Sequence, residues 1–395
     1  MIVVPNDSIT VTLGIGSGPY QKTLPISLLQ AGMLKRVMSS GLYLEMQDPA
    51  PDGSLQVVER FAVFGHANRV FWGIRRRLPP KLRPPAMFMT KLADRLCSVR
   101  IPPCTIFHGW MGLSLACLQK AKRQGTITLL ENPARHPRHW RQAGVDECKR
   151  FGIAPQRSTV LPAPLIRRLE QEFQLCDRIV LPSTLSQRSF SEFGLGRKTV
   201  VVKLAVDTDF FAMRPLEERS RFRACFVGRV ELAKGVSYLL QAWRRLALPN
   251  AELVLVGDVK PEMRSLLRTY ADSTVRTLGV VPLPALKQSY RESDLFVFPS
   301  VNEGLAQVLL EAMSSGLPVV ASDHSGADDL VTEGKDGFIV PVRDVDHMAE
   351  AILWCYQHRN ETLAMGRAAR AKIESQFTLA HYNQRMIELY KSLAT

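Results

Sequence analysis

Short runs of β-branched and aliphatic residues alternate, along most of this chain, with longer stretches whose apolar positions recur every three or four residues. That alternation predicts strands and helices in turn, and so parallel α/β sheets. In the first half "SITVTLGI" reads as a strand, followed by "GSG" at Gly16–Gly18. "QKTLPISLLQAGMLKRVMSSG" then reads as mostly helix. "CTIFHG", "TITLLEN" and "DRIVLPS" are further strands, with "LSLACLQKAKRQG" a helix between the first two. The stretch Phe61–Met89, rich in Arg and Pro, has no clear period and reads as a long loop or irregular helices. Near Val200 the pattern restarts. "TVVVKLAVD" leads through the polar "PLEERSRF" into "RACFVGRVEL", "VSYLLQAWRRLA", "AELVLVGD", "VRTLGVV", "LPALKQSYRESD" and "LFVFPS". The expected fold is α/β with one domain over 1–200 and a second domain over 201–375. An amphipathic C-terminal helix over 376–395 is expected to pack back toward the first domain.

Composition narrows the class. The 395 residues are 46% apolar and 22% charged, as in a globular protein of two domains. No apolar stretch reaches the roughly 18 residues of a membrane span, and "MIVVPNDSITV" lacks the basic start of a secretory signal. Seven dispersed cysteines without a CxxC pair indicate neither zinc nor a redox dithiol, and fit reduced thiols in a cytoplasm. Charge is uneven: residues 1–200 hold 28 Lys+Arg against 13 Asp+Glu, and residues 201–395 hold 23 against 24. A basic half suits phosphorylated substrates or an anionic membrane, or is a solvated face. Nucleic acid is not expected as a partner, because Trp110, Trp140 and Phe151 are too few and dispersed to interleave with the cations.

The candidate chemistry lies in the second half. In "FVGRVELAKG" a strand ends at Gly228, Arg229 follows, and Lys234 opens a helix five residues later. Glycine admits a phosphate to the backbone, and two cations at a helix start can neutralise a diphosphate. The same residues also fit a plain strand–turn–helix with surface cations. "EGLAQVLLEAMSSG" is more telling. Glu303 and Gly304 precede a helix whose free amides at Leu305, Ala306 and Gln307 would form an anion site. Taken as continuous helix, the stretch sets Glu311 about 12 Å beyond Glu303. Two acceptor-only carboxylates at that separation suit the hydroxyls of a sugar and of a ribose, with phosphates between.

Together with "LVLVGD", "TLGVVP" and "EGKDGFIVP", these segments resemble, over about residues 200–375, the donor domain of glycosyltransferase family 4, the retaining group 1 glycosyl transferases. Over 1–200 the resemblance is looser, resting on "VTLGIGSG", "IFHG" and "DRIVLPSTLSQRSFSEFG". It implies a GT-B fold, with two Rossmann-like domains facing across a cleft, an acceptor-binding one over 1–200 and a nucleotide-sugar-binding one over 201–375. It also implies a nucleotide-sugar donor and a glycan or lipid-linked acceptor. Carried over, Arg229 and Lys234 become the diphosphate cations, Glu303 the sugar-side carboxylate, Glu311 the ribose-side one, and Gly16 a close-approach glycine. The chain has Leu305-Ala306-Gln307 where many members have Phe-Gly-Leu, and Ser325-Gly326 for Gly-Gly. No cofactor or metal is expected: Asp328-Asp329 is not a DxD on a strand exit, and the cations can serve the leaving group.

Two features of the first half stay open. His108 ends a predicted strand where the family often has an active-site residue, but could equally be a core histidine. "ENPARHPRHWRQ" packs Arg135, His136, Arg138, His139 and Arg141 onto one predicted loop, which suits a phosphorylated acceptor or is simply solvated. Arg75, Arg76, Arg77, Lys81 and Arg83, with Phe71, Trp72 and Phe88, suit a peripheral contact with an anionic inner membrane face. Rival functions are a GT-B sugar-nucleotide epimerase or hydrolase, and a non-catalytic nucleotide-sugar-binding protein.

Overall fold

The computed structural model describes residues 9–14, 20–39, 58–60, 87–155, 160–213 and 220–395. Seven of its strands form one parallel sheet: β1 (Val11–Gly14), β2 (Leu34–Ser39), β3 (Val58–Arg60), β4 (Ile106–Trp110), β5 (Ile127–Glu131), β6 (Arg178–Leu181) and β7 (Thr199–Val201), in the order β3-β2-β1-β4-β5-β6-β7. Six more form a second: β8 (Phe222–Val227), β9 (Ala251–Val256), β10 (Val275–Gly279), β11 (Leu295–Phe298), β12 (Val319–Ser322) and β13 (Gly337–Val340), ordered β10-β9-β8-β11-β12-β13. Each order reverses once, between β1 and β4 and between β8 and β11. Such a switch point opens a crevice at the carboxyl ends of the strands, where open α/β sheets bind ligands.

Helices cover both sheets. The first domain carries α1 (Tyr20–Gln30), α2 (Met87–Ser98), α3 (Leu115–Arg123), α4 (Pro137–Arg150), α5 (Ala163–Leu175) and α6 (Thr184–Ser191). The second carries α7 (Val236–Leu246), α8 (Met263–Tyr270), α9 (Leu283–Arg291), α10 (Gln307–Ser314), α11 (Val345–Gln357) and α12 (Arg359–Gln376). Strands covered on both faces read as unbroken apolar runs, and β9, β11 and β12 are buried at every position. Fully burying side chains such as Phe296 and Val297 contributes about 1.5–3 kcal/mol each.

The chain then returns. Val206, past the first sheet, pairs with Thr378, and α13 (Leu379–Ala394) lies against α1. There Asn383 donates to Ser27 Oγ at 2.9 Å and accepts from the Thr23 hydroxyl at 3.4 Å. The domains also meet around Glu147 of α4, which is fully buried. It accepts from the Tyr238 hydroxyl at 2.8 Å and from Arg343 Nε at 2.6 Å. Removing one partner of such a buried pair typically costs about 3–5 kcal/mol.

Three sequence expectations need correction. The segment read as one long helix after Gly18 divides: α1 stops at Gln30, Gly32 turns the chain at φ 67°, and Leu34–Ser39 is strand β2. The "HPRHWRQ" part of the supposed loop is the start of α4, with Pro137 at its first turn. The supposedly irregular stretch ending at Met89 contains the start of α2. Its remainder, with Phe71, Trp72, Arg75, Arg76, Arg77, Lys81 and Arg83, lies outside the described residues, as does Gly16.

Candidate active site

The exits of β8 and β11, neighbours at the second switch point, bring the main candidates together. Gly228 leaves β8 at φ 146°, a conformation that admits no ordinary side chain, so the backbone there is bare. Arg229 follows, half-exposed, its Nη2 3.0 Å from Glu231 Oε1. The chain then makes a short 3-10 turn over Leu232–Lys234 before α7. That turn is stitched to the exit of β11. Ala233 O accepts both from the Val301 amide at 3.0 Å and from the Ser300 hydroxyl at 3.1 Å. The stitch lays Lys234 Nζ directly on Glu303 Oε1. The sequence suggests separate roles for these two residues; in the fold they are one ion pair.

Glu231 had been overlooked. It is buried with Oε2 unpartnered among the described residues. Burial pushes its carboxyl above the usual range, against the pull of Arg229 and Lys234, with Glu303 and Glu262 adding repulsion. Its signal was its place two residues after Arg229, where its carboxylate orients that guanidinium.

The loop from Glu303 to Ala306 is held by the exit of β12. The Glu303 amide donates to His324 O at 2.9 Å and the Ala306 amide to Ser325 O at 3.2 Å. This corrects the expected row of three free amides, since Ala306 is taken. Among the described residues, those of Leu305, Gln307 and Val308 have no partner, and they sit at the start of α10. The Gln307 side chain turns away and donates to Ala205 O at 2.8 Å. Leu305 and Ala306 are buried. Because α10 begins only at Gln307, the chain between Glu303 and Ala306 is not helical, and the continuous-helix spacing of the two glutamates does not hold.

Glu311 lies inside α10 with no ion-pair partner among the described residues. The Tyr290 hydroxyl, fully buried on α9, donates to Glu311 Oε2 at 2.9 Å. Burial pushes the Glu311 carboxyl up to about 7, and the Tyr290 bond opposes this. Tyr290 was not foreseen; only its position at the end of an amphipathic helix pointed to it.

From the first domain, the loop after β5 meets this site. A Cβ on Gly304 would overlap the Pro133 carbonyl, so only glycine allows the approach. The Gly304 carbonyl accepts from the Ser183 hydroxyl at 2.6 Å. The Thr184 amide and hydroxyl donate to Asp329 Oδ2 at 2.7 and 2.9 Å.

His108 is not brought to this site. Strand β4 continues to Trp110, so His108 is mid-strand and buried rather than at a strand exit. Its Nδ1 is 2.7 Å from the Tyr390 hydroxyl of α13, and its Nε2 is 3.6 Å from Glu131 Oε2. Burial pushes its pKa down to about 4, so the imidazole is neutral. Its described contacts are those of the core-histidine alternative.

Two Rossmann-like domains facing each other, with opposed charges gathered at a switch point, define the GT-B architecture. Residues 221–358 match the family described as glycosyl transferases group 1. The chain is similar to the amylovoran biosynthesis glycosyltransferase AmsK of Erwinia amylovora. Identity is 26% over 232 residues, which cover 55% of this chain and 57% of that relative. The chain thus spans little more than half the length of this curated relative. Among solved structures, sucrose-phosphate synthase from Thermosynechococcus elongatus superposes with a TM-score of 0.69 at 16% identity. That match covers 98% of this chain and 99% of the other. HepE from Anabaena, solved in complex with UDP-glucose, gives 0.65 at 17% identity over 97% and 100%. At such identities these two report the fold.

Proposed function

We propose that this protein is a retaining glycosyltransferase. It moves a sugar from a nucleoside diphosphate sugar to a glycan or lipid-linked acceptor, in cell-surface polysaccharide or glycolipid synthesis. The observation that carries the reading is the Lys234–Glu303 pair, stitched through Ala233 across the switch point with Arg229 beside it. A diphosphate displaces a carboxylate from such a lysine, leaving Glu303 to accept sugar hydroxyls. Arg229, Lys234 and the unpartnered amides of Leu305, Gln307 and Val308 then meet the phosphates. Glu311 accepts the ribose hydroxyls. As the glycosidic bond breaks, negative charge grows on the diphosphate, and fixed cations stabilise that state more than the ground state. The leaving phosphate takes the proton of the attacking hydroxyl on the same face.

A thermal-shift panel of UDP-, GDP- and ADP-sugars tests this. A ligand at 100 times its Kd stabilises by about 2.7 kcal/mol. No shift with any of them sinks the reading. Turnover that persists in EDTA supports transfer without a metal; loss restored by Mg²⁺ or Mn²⁺ overturns that part.

The first domain is proposed to rest on an anionic inner membrane face. Helix α2 exposes Phe88, Leu92 and Leu96 at four-residue spacing, with Val99 just beyond and Lys91 and Arg95 on the same helix. This is the pattern of an interfacial helix. No described helix is long and apolar enough to cross a membrane. Liposome flotation decides it: recovery that is equal on neutral and anionic vesicles, and unchanged by Leu92→Glu, rejects the contact.

A further inference from the structure

The basic segment Arg135–Arg141 resolves into side chains of two kinds. Arg138 pairs with Glu170 at 2.5 Å and lies over the Phe193 ring. His139 pairs with Glu192 at 2.8 Å, and Arg141 donates to Leu161 O at 2.6 Å. His136 is buried in a stack with Phe193, ring centroids 4.0 Å apart, and its amide donates to Ser189. These four are consumed by the first domain itself. Arg135 alone crosses to the second domain, where its Nη1 lies 3.4 Å from His324 Nδ1.

We infer that Arg135, with His324 facing it, forms a binding site for a carboxylate or phosphate carried by one of the two sugars that meet in the cleft. This rests on the sugar-transfer reading and names a substrate class for it.

Two cationic-type groups face each other here without an anion. Arg135 has no ion pair among the described residues, and its Nε is buried with no hydrogen-bond partner there. The carboxylates that pull on it electrostatically, Glu192 and Asp323, are both engaged elsewhere. Glu192 is on His139, and Asp323 Oδ1 accepts from the Val342 amide at 2.9 Å. Burial and the neighbouring Arg188 disfavour the charged guanidinium. His324 Nδ1 is also 3.1 Å from Val301 O, so when it donates there it cannot accept from Arg135. Burial and Arg135 together lower the His324 pKa. A desolvated guanidinium with an idle donor is costly unless a ligand completes it, and its planar fork matches a carboxylate or phosphate.

The position fits a sugar-borne group rather than the nucleotide. Arg135 follows Pro133 and Ala134, the residues in contact with Gly304. His324 accepts the Glu303 amide through its carbonyl. The site therefore borders the loop that presents Glu303 to the sugar.

The test uses the full chain. Calorimetry with UDP, GDP and ADP first identifies the base. At saturating nucleotide, glucose 6-phosphate and glucuronate are titrated against glucose, which probes an anionic acceptor. In a second arm the hexuronate sugar-nucleotide of that base is compared with the neutral hexose one, which probes an anionic donor. Arg135→Gln is expected to weaken the anionic probe of one arm by about 10- to 100-fold, the scale of a lost charge-assisted bond. Glucose and the plain nucleotide are expected to bind as before, the latter reporting an intact fold. Arg135→Lys is expected to retain part of the preference. The site is overturned if anionic probes bind no better than neutral ones in both arms, or if Arg135→Gln matches wild type in both. If no nucleotide binds wild type, the sugar-transfer reading falls, and the site with it.

Discussion

The first and second domains use charge in opposite ways. Among the described residues of the first domain, several cations are held by carboxylates of that same domain: Arg138 by Glu170, Lys122 by Asp177, Arg168 by Asp94. In the second, with nearly equal numbers of each sign, Arg229, Glu231, Lys234 and Glu303 are gathered at one strand-exit crevice. Net charge therefore says little about where charge is available. What counts is whether a group's partner lies on its own surface or across a crevice that a ligand can enter. Lys234 has its partner on a neighbouring strand exit across the crevice; Arg138 has one held on the surface of its own domain.

The largest expected effect tests this contrast directly. Arg229→Ala and Lys234→Ala are each expected to lower turnover by about 10²–10³, the cost of one preorganised charge partner at a leaving group. Arg138→Ala and His139→Ala are expected to stay within a few fold. Initial rates of nucleotide release with a verified donor measure both pairs. Comparable losses in the two domains would erase the distinction, and normal rates in folded Lys234→Ala would remove Lys234 from the chemistry.

The second prediction concerns pH. In the free protein burial holds the Glu311 carboxyl up to about 7. Ribose hydroxyls need the ionised form as acceptor, so binding requires proton loss below that value. Nucleotide affinity is expected to fall by about tenfold per pH unit as pH drops below about 7, each unit being 1.36 kcal/mol. Glu311→Gln is expected to bind more weakly at pH 8 and to lose the part of the slope due to this carboxyl. Calorimetry at several pH values on both proteins separates it from titration of the ligand's own phosphate. Equal slopes in the two would place the ribose elsewhere.

The strand-exit cluster of the second domain was largely legible in the sequence because its parts are local. Strand-exit residues stand within eight positions of one another in "GRVELAKG" and "EGLAQVLLE", and the flanking apolar runs fix where the strands end. What could not be read were the partnerships. Lys234 and Glu303 are 69 residues apart, Arg135 and His324 189, Glu147 and Arg343 196, and His108 and Tyr390 282. Only the folded sheets bring them together. Strand β2 was misread for a different reason. Met33, Leu34, Val37 and Met38 recur at helical spacing, yet the sheet buries Met33, Val37 and Met38, so tertiary context overrode the local period. In the "ARHPRHW" segment the proline after His136 was a helix-start signal obscured by the surrounding charge.

The smallest expected effect separates a structural His108 from a catalytic one. His108 Nδ1 and the Tyr390 hydroxyl, 2.7 Å apart, share a buried hydrogen bond whose donor follows from the imidazole tautomer. Tyr390→Phe leaves that buried nitrogen unsatisfied, at a cost of about 1–3 kcal/mol. Unfolding is expected to shift down accordingly, while turnover stays within about twofold, because none of the lost contact faces the donor. The pH dependence has a definite sign. His108 is neutral when folded, its pKa lowered to about 4, and takes a proton more readily when unfolded. Its contribution to stability is therefore present above the ordinary histidine pKa of about 6.5 and is lost as pH falls from there toward 4. Thermal unfolding of wild type and His108→Gln between pH 7 and pH 5 measures this, and the wild type is expected to lose more. A fall in turnover of 100-fold or more in Tyr390→Phe, with unfolding unchanged, would return His108 to the chemistry and dissolve the contrast between the two domains.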